Sequence, residues 1–138
     1  MKKIITLYCL ITIGVSACNK LHFEGNTFQT VKGVITDTLN QPIANLSLNM
    51  MAALTRSTYD LNPQSGPVVI SRTTTNSDGS FQFTFPRSNG YLYIQLPNTY
   101  IVADSINKFP DLHQQIYVDT AKFQNLLYNT QTVKVRLP

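Results

Sequence analysis

The chain has 138 residues, of which 43% are hydrophobic and 13% charged, and carries a formal net charge of +4 at pH 7. That length supports one ordinary domain with its own core, and two would be crowded. Beyond Lys2, Lys3 and Lys20, its basic residues Lys32, Arg56, Arg72, Arg87, Lys108, Lys122, Lys134 and Arg136 are scattered, with no stripe and no basic-aromatic motif, which argues against nucleic acid as a partner.

The first residues read MKKIITLYCLITIGVSAC: two lysines, an apolar run from Ile4 to about Val15, then small residues up to Cys18. This pattern predicts a secretory signal over 1–17, because the run is short for a membrane span and polar residues follow it. Val15-Ser16-Ala17-Cys18 resembles the bacterial lipobox, where a signal peptidase cuts before a diacylated cysteine. The resemblance implies lipid on Cys18 (palmitate among its acyl chains), attachment to a membrane through that lipid, and residence in the bacterial cell envelope. Asn19 stands where an Asp would resemble an inner-membrane retention signal, so the outer membrane is the expected address. Cys9 leaves with the signal and the Cys18 sulfur is acylated, so no thiol remains for a disulfide, a metal or catalysis. Losing Lys2 and Lys3 also lowers the formal charge of +4 by two units.

Residues 18–29 are expected to form the lipidated cysteine and a tether, which at full extension reaches roughly 35 Å. From 30 to 138, short stretches of alternating polarity are separated by Pro, Gly, Asn and Asp, which predicts an all-β domain, an antiparallel β-sandwich of about seven strands. The expected strands cover 30–36, 43–51, 68–75, 80–85, 91–96, 115–118 and 132–137. Alternation assigns Leu46, Leu48 and Met50, then Phe81, Phe83 and Phe85, then Val133, Val135 and Leu137 to the core face. The 52–67 stretch reads as a long irregular loop. In AKFQNLLY, Phe123, Leu126 and Leu127 are spaced as one face of a short helix near 121–128.

Asn76-Ser77-Asp78-Gly79 lies between a Val/Thr-rich run and the Phe alternation, where Asp-Gly signals a hairpin turn. A calcium loop needs several alternating oxygen ligands and a closing Glu, yet Glu24 is the only glutamate in the chain. A phosphate loop needs a helix after the glycines, and a strand is expected there.

Four segments, VKGVITDTLNQPI, IANLSLNM, TNSDGSFQF and GYLYIQL, resemble the carboxypeptidase regulatory-like domains, small sandwiches of the transthyretin-like (prealbumin-like) type. The resemblance covers about residues 31–96 and implies a seven-stranded prealbumin-like sandwich. Two of the family's turn glycines are replaced by Asn40 and Asn45. Asn is the residue after Gly that best tolerates φ > 0, so both turns are expected to survive.

Catalytic chemistry is sparse. His22 and His113 stand in no metal spacing, and Asp111, His113 and Asp119 read as solvated loop residues. No Gly-x-Ser-x-Gly elbow is present. The transthyretin-like fold includes a hydroxyisourate hydrolase whose family ends in Tyr-Arg-Gly-Ser, whereas this sequence closes on KVRLP. A non-enzymatic structural or interaction module is therefore expected, with no cofactor and no metal. For a glycan, peptide or envelope-protein partner the candidate patch is Tyr91 and Tyr93, set outward by the inward Leu92, Ile94 and Leu96. The competing reading has these rings pairing across strands, or covering an open face beneath the 100–128 region.

Asp37-Thr38-Leu39, Asp104-Ser105-Ile106 and Asp119-Thr120-Ala121 share one pattern, which resembles an O-glycosylation motif of envelope proteins in one group of Gram-negative bacteria. Thr38, Ser105 and Thr120 are the candidate sites, Thr38 foremost because it should lie in an exposed turn. Ordinary turn chemistry, with Asp bonding nearby backbone amides, explains the same pattern.

Overall fold

A computed structural model describes residues 20–54, 66–103 and 114–137. The strands among them are β1 (Phe23–Thr36), β2 (Ser47–Ala53), β3 (Val68–Thr74), β4 (Ser80–Ser88), β5 (Tyr91–Gln95), β6 (Ile101–Val102), β7 (Gln115–Val118), β8 (Leu127–Asn129) and β9 (Val133–Arg136). One sheet has the order β4-β1-β9-β6, with β8 also paired to β1, and the other has the order β3-β2-β5-β7. Packed together they form an all-β sandwich, as the alternation predicts.

The core holds most of the expected inward residues, with Val133 only partly buried, and adds Ala52, which β2 takes from the loop expected over 52–67. Val31, Ile35, Phe81, Phe83, Phe85 and Val135 come from the first sheet, and Leu48, Met50, Ala52, Leu92, Ile94 and Val118 from the second, all buried. Period-two alternation puts each set on one face, and removing that apolar surface from water is the main drive for the sheets to close. Phe81 and Phe83 meet edge to face with ring centroids 5.8 Å apart. Gly33 sits where β1 is crowded: a Cβ there would meet Thr130 Oγ1, and Phe81 Cζ at 2.7 Å.

β1 is longer than expected. It begins at Phe23 instead of after Gln29, because Phe23 and Glu24 pair with Ser88 and Arg87 before a register shift brings Phe28 opposite Pro86. Most of the expected tether is thus part of the sheet. Lys20 and His22 are fixed as well: His22 N–H donates to Asn89 Oδ1 at 2.8 Å, and the Asn89 amide donates to Lys20 O at 3.2 Å.

β2 starts at Ser47 instead of residue 43, since Asn45 has φ 57° and breaks the extended run. Asn40, with φ 62°, also takes the left-handed conformation expected of the residue standing in for a turn glycine. The helix expected near 121–128 is one 3-10 turn, Thr120–Lys122, followed by a tight reversal. Asn125 and Leu126 have φ of 48° and 64°, incompatible with a right-handed helix, and Gln124 and Leu127 exchange two 2.9 Å backbone hydrogen bonds around them. Positive φ at both central residues is the mark of a type I′ turn. Of the Phe123, Leu126 and Leu127 spacing that resembled a helix face, Phe123 instead packs its ring against Tyr128, with centroids 5.5 Å apart. Leu137 lies past the end of β9 and is exposed, not core.

Asn76–Gly79 closes as a turn: Gly79 N–H donates to Asn76 O at 2.9 Å, Asn76 N–H to Ser80 O at 2.8 Å, and Gly79 takes φ 75°. Its flanking strands then diverge into different sheets, so the expected hairpin has no ladder beyond the turn. The backbone groups beside the turn are already taken. Ile35 N–H reaches Gly79 O, while Thr75 exchanges hydrogen bonds with Asn45 and Leu46. The Thr75 hydroxyl adds a 2.6 Å bond to Ile43 O and accepts from Leu46 N–H, riveting this corner.

Candidate functional site

The face of the second sheet that points away from the core is built by β2, β5 and β7. Register places Met51, Tyr93 and Tyr117 in one row and Asn49, Gln95 and Gln115 in the next. Inward Leu92 and Ile94 force Tyr91, Tyr93 and Gln95 outward, as the alternation predicts. Their burial, however, differs sharply. Tyr91 is 43% exposed while Tyr93 is only 6% exposed, so the expected pair of open tyrosines is one open ring beside a covered one.

Cross-strand pairing is the reason. Tyr93 lies directly opposite Tyr117, with ring centroids 6.0 Å apart and a 46° tilt. Tyr117 O–H donates to Gln115 Oε1 at 3.2 Å, and Gln95 Nε2 donates to Leu96 O at 3.1 Å, so Tyr117, Gln115 and Gln95 are engaged within the sheet. Burial raises the Tyr93 pKa above the usual phenol value, and the nearby Tyr117 adds to the rise. Tyr117 was missing from the sequence-derived patch. The alternation of Ile116 and Val118 around it is the signal that could have found it.

Among the other candidates, Thr38 is exposed in the turn after β1. Asp37 Oδ1 there accepts from Leu39 N–H and Gln41 N–H, both at 2.8 Å. Thr120 is exposed at the start of the 3-10 turn, where Asp119 Oδ1 accepts from Ala121 N–H at 3.1 Å. Asp78 does the same for Ser80 N–H at 2.9 Å, and hydrogen bonding from Ser80 lowers its pKa. The three acids therefore share one local geometry, in which the carboxylate accepts from the amide two residues on. Cys18, Ser105, Asp111 and His113 lie outside the described residues. Among the described residues, no group of three or more His, Cys, Asp or Glu could hold a metal ion, and no helix is long and apolar enough to cross a membrane.

No family model and no curated protein matches the chain. Among solved structures, a 9R-lipoxygenase from Cyanothece PCC8801 is similar over 78% of this chain at 15% identity, with a TM-score of 0.47. This chain spans 16% of that one.

Proposed function

We propose that the protein is a lipid-anchored, non-enzymatic module of the bacterial cell envelope, held in the outer membrane by acyl chains on Cys18. The observation that carries the reading is the leader: two lysines, an apolar run and Val15-Ser16-Ala17-Cys18 stand in the order and spacing that lipid attachment requires. The sandwich suits such a role, because it has an apolar core of its own built from both sheets. The four segments that resemble a carboxypeptidase regulatory-like domain fit the same reading. Left-handed Asn40 and Asn45 support it, since both keep the turns that the family makes with glycine.

Intact mass of the mature protein tests the anchor. A diacylated or triacylated N-terminal Cys18 is expected, and Cys18→Ala should accumulate uncleaved precursor. An unmodified thiol at that position overturns the reading.

A second role, glycan or peptide binding, is favoured by one observation, the 43% exposed Tyr91 ring beside the Tyr93–Tyr117 pair. An exposed ring against a rigid aromatic floor can stack on a sugar or a peptide side chain. Thr38 and Thr120, both exposed, remain the acceptors for O-glycosylation, with Ser105 as the third. Glycan-sized mass that falls stepwise on Thr38→Ala, Ser105→Ala and Thr120→Ala is the expected result in the native host. A mass of polypeptide plus lipid alone would leave these residues as turn residues.

A further inference from the structure

The lipid-anchor reading, combined with the way the first described residues are held, carries a statement about orientation. We infer that the domain sits directly on the membrane through the end of the sandwich that carries Lys20, Asn89 and Tyr91, and does not ride on a stalk. The inference rests on the acylation of Cys18.

The first observation is the length of free chain. Asn89, in the turn between β4 and β5, accepts from His22 N–H through Oδ1 at 2.8 Å, donates its own N–H to His22 O at 3.3 Å, and donates Nδ2–H to Lys20 O at 3.2 Å. Leu21 packs against the core, and its Cδ1 lies 2.5 Å from where a Cβ on Gly90 would stand, so only glycine leaves room for it. Lys20 to His22 are thus fastened to the domain at both the backbone and the side-chain level. Asn19 alone separates Lys20 from Cys18. Two residue steps span at most about 7 Å, so acyl chains on Cys18 would bring this end to the headgroups.

The second observation is independent of the tether. The two sheets end together here, because the Ser88–Tyr91 connection joins β4 to β5 and the space above Gly90 is bounded by Leu21 and Ala53. Phe23, Phe28, Val68, Val69, Tyr91 and Leu126 are all exposed, and register places every one of them in this half of the sandwich. Phe23 and Phe28 lie opposite Ser88 and Pro86, Val68 and Val69 opposite Ala52 and Met51, Tyr91 opposite Ala53, and Leu126 beside Thr30. Leu39 and Leu137 are the exposed large apolar residues at the far end, among those described. Leu126 keeps its place at a cost, since a leucine at φ 64° occupies a position suited to glycine. Exposed apolar side chains gathered in one half of a sandwich mark a contact surface, and a lipid interface accepts isolated Phe, Tyr, Val and Leu rings and branches without requiring a shaped partner.

The near-end acids do not oppose this seating, since Glu24 is paired with Arg87 at 3.8 Å and Asp119 with Lys122 at 3.7 Å, while the far end carries Asp37 and Asp78 together with Lys134 and Arg136. Lys20 adds positive charge where anionic headgroups would stand. The seated domain would hold Thr38 away from the membrane and Thr120 close to it.

Depth-dependent fluorescence quenching tests the seating. The full acylated chain, with Cys18 blocked by its own lipid, is labelled at a single introduced cysteine, Val69→Cys at the near end or Ser77→Cys at the far end. Each is reconstituted into phosphatidylethanolamine/phosphatidylglycerol vesicles carrying a headgroup-region quencher. Strong quenching at Val69→Cys with none at Ser77→Cys is expected. The near-end signal should fall in an Asn89→Ala chain and in a Phe23→Ser, Phe28→Ser, Leu126→Asn chain, both still vesicle-bound. Vesicle-bound protein with neither label quenched, or both quenched alike, overturns the seating while the anchor stands. Protein that stays in the aqueous phase with a free thiol on Cys18 overturns anchor and seating together.

Discussion

Tyr93 and Tyr117 face each other across β5 and β7 at 6.0 Å, and this contact separates two tyrosines that the alternation alone makes equivalent. Burial and the neighbouring phenol raise the Tyr93 pKa above 10.0. A group whose folded pKa exceeds its unfolded value contributes stability that is intact below the unfolded pKa and lost as pH rises through the folded one. Stability should therefore decline above about pH 10, and Tyr93→Phe should flatten that decline. Thermal melts across the alkaline range check it; identical slopes for the two proteins would show that Tyr93 ionises freely.

Asp78 titrates in the opposite sense. Hydrogen bonding from Ser80 holds its carboxyl below the ordinary value of 3.8, so its contribution is present above that pH and lost as pH falls through the lowered pKa. A carboxyl-detected NMR titration should find Asp78 below 3.8, and moved back up in Ser80→Ala.

Phe83 is 1% exposed and central to the inner face of β4. Phe83→Ala should cost about 3–5 kcal/mol, from lost transfer energy plus the cavity left behind. Phe83→Leu keeps most of the volume and should cost clearly less. Urea denaturation with an unchanged m-value measures both.

Gly33 is needed for closeness rather than for an unusual backbone angle. Its Cβ position is occupied by Thr130 Oγ1 and the edge of Phe81, so Gly33→Ala should destabilise by about 1–3 kcal/mol through overpacking. A paired Gly33→Ala, Thr130→Ala chain should recover part of the loss; no recovery would mean the Phe81 ring is the dominant obstacle.

Leu126→Gly should act in the other direction. Relieving a left-handed leucine in the type I′ turn is worth about 1–2 kcal/mol, less the extra backbone freedom glycine gains in the unfolded chain. A rise in melting temperature is expected, and a fall would show that the exposed side chain contributes packing that outweighs the strain.

Local chemistry made part of this fold readable from the sequence. Asn40 and Asn45 could be placed at positive φ because the tolerance of Asn for that region is a property of the residue itself. The Phe81-Phe83-Phe85 face was readable because period two needs only neighbours in sequence. Elements defined by distant partners were not readable. β6 spans two residues and β8 three, and each is a strand only because β9 or β1 lies beside it. The start of β1 was missed for the same reason: NKLHFEGNTFQ has no alternation, and its pairing to Pro86–Ser88 is decided by β4. At the candidate face, outward direction was legible and exposure was not, because Tyr117 lies in another strand.

β1 pairs antiparallel with β4 along one edge and parallel with β8 and then β9 along the other, with Thr30 opposite Leu127 and Ile35 opposite Val133. Among the described residues, the first strand of the sandwich is therefore completed by the last two. Contacts of such long sequence separation form late, after most loop-closure entropy has been spent, and folds dominated by them reach the native state in milliseconds to seconds rather than microseconds. A chain without Leu127–Arg136 would leave the Thr30–Thr36 edge of β1 unpaired on that side, so closure of this sheet waits for β8 and β9.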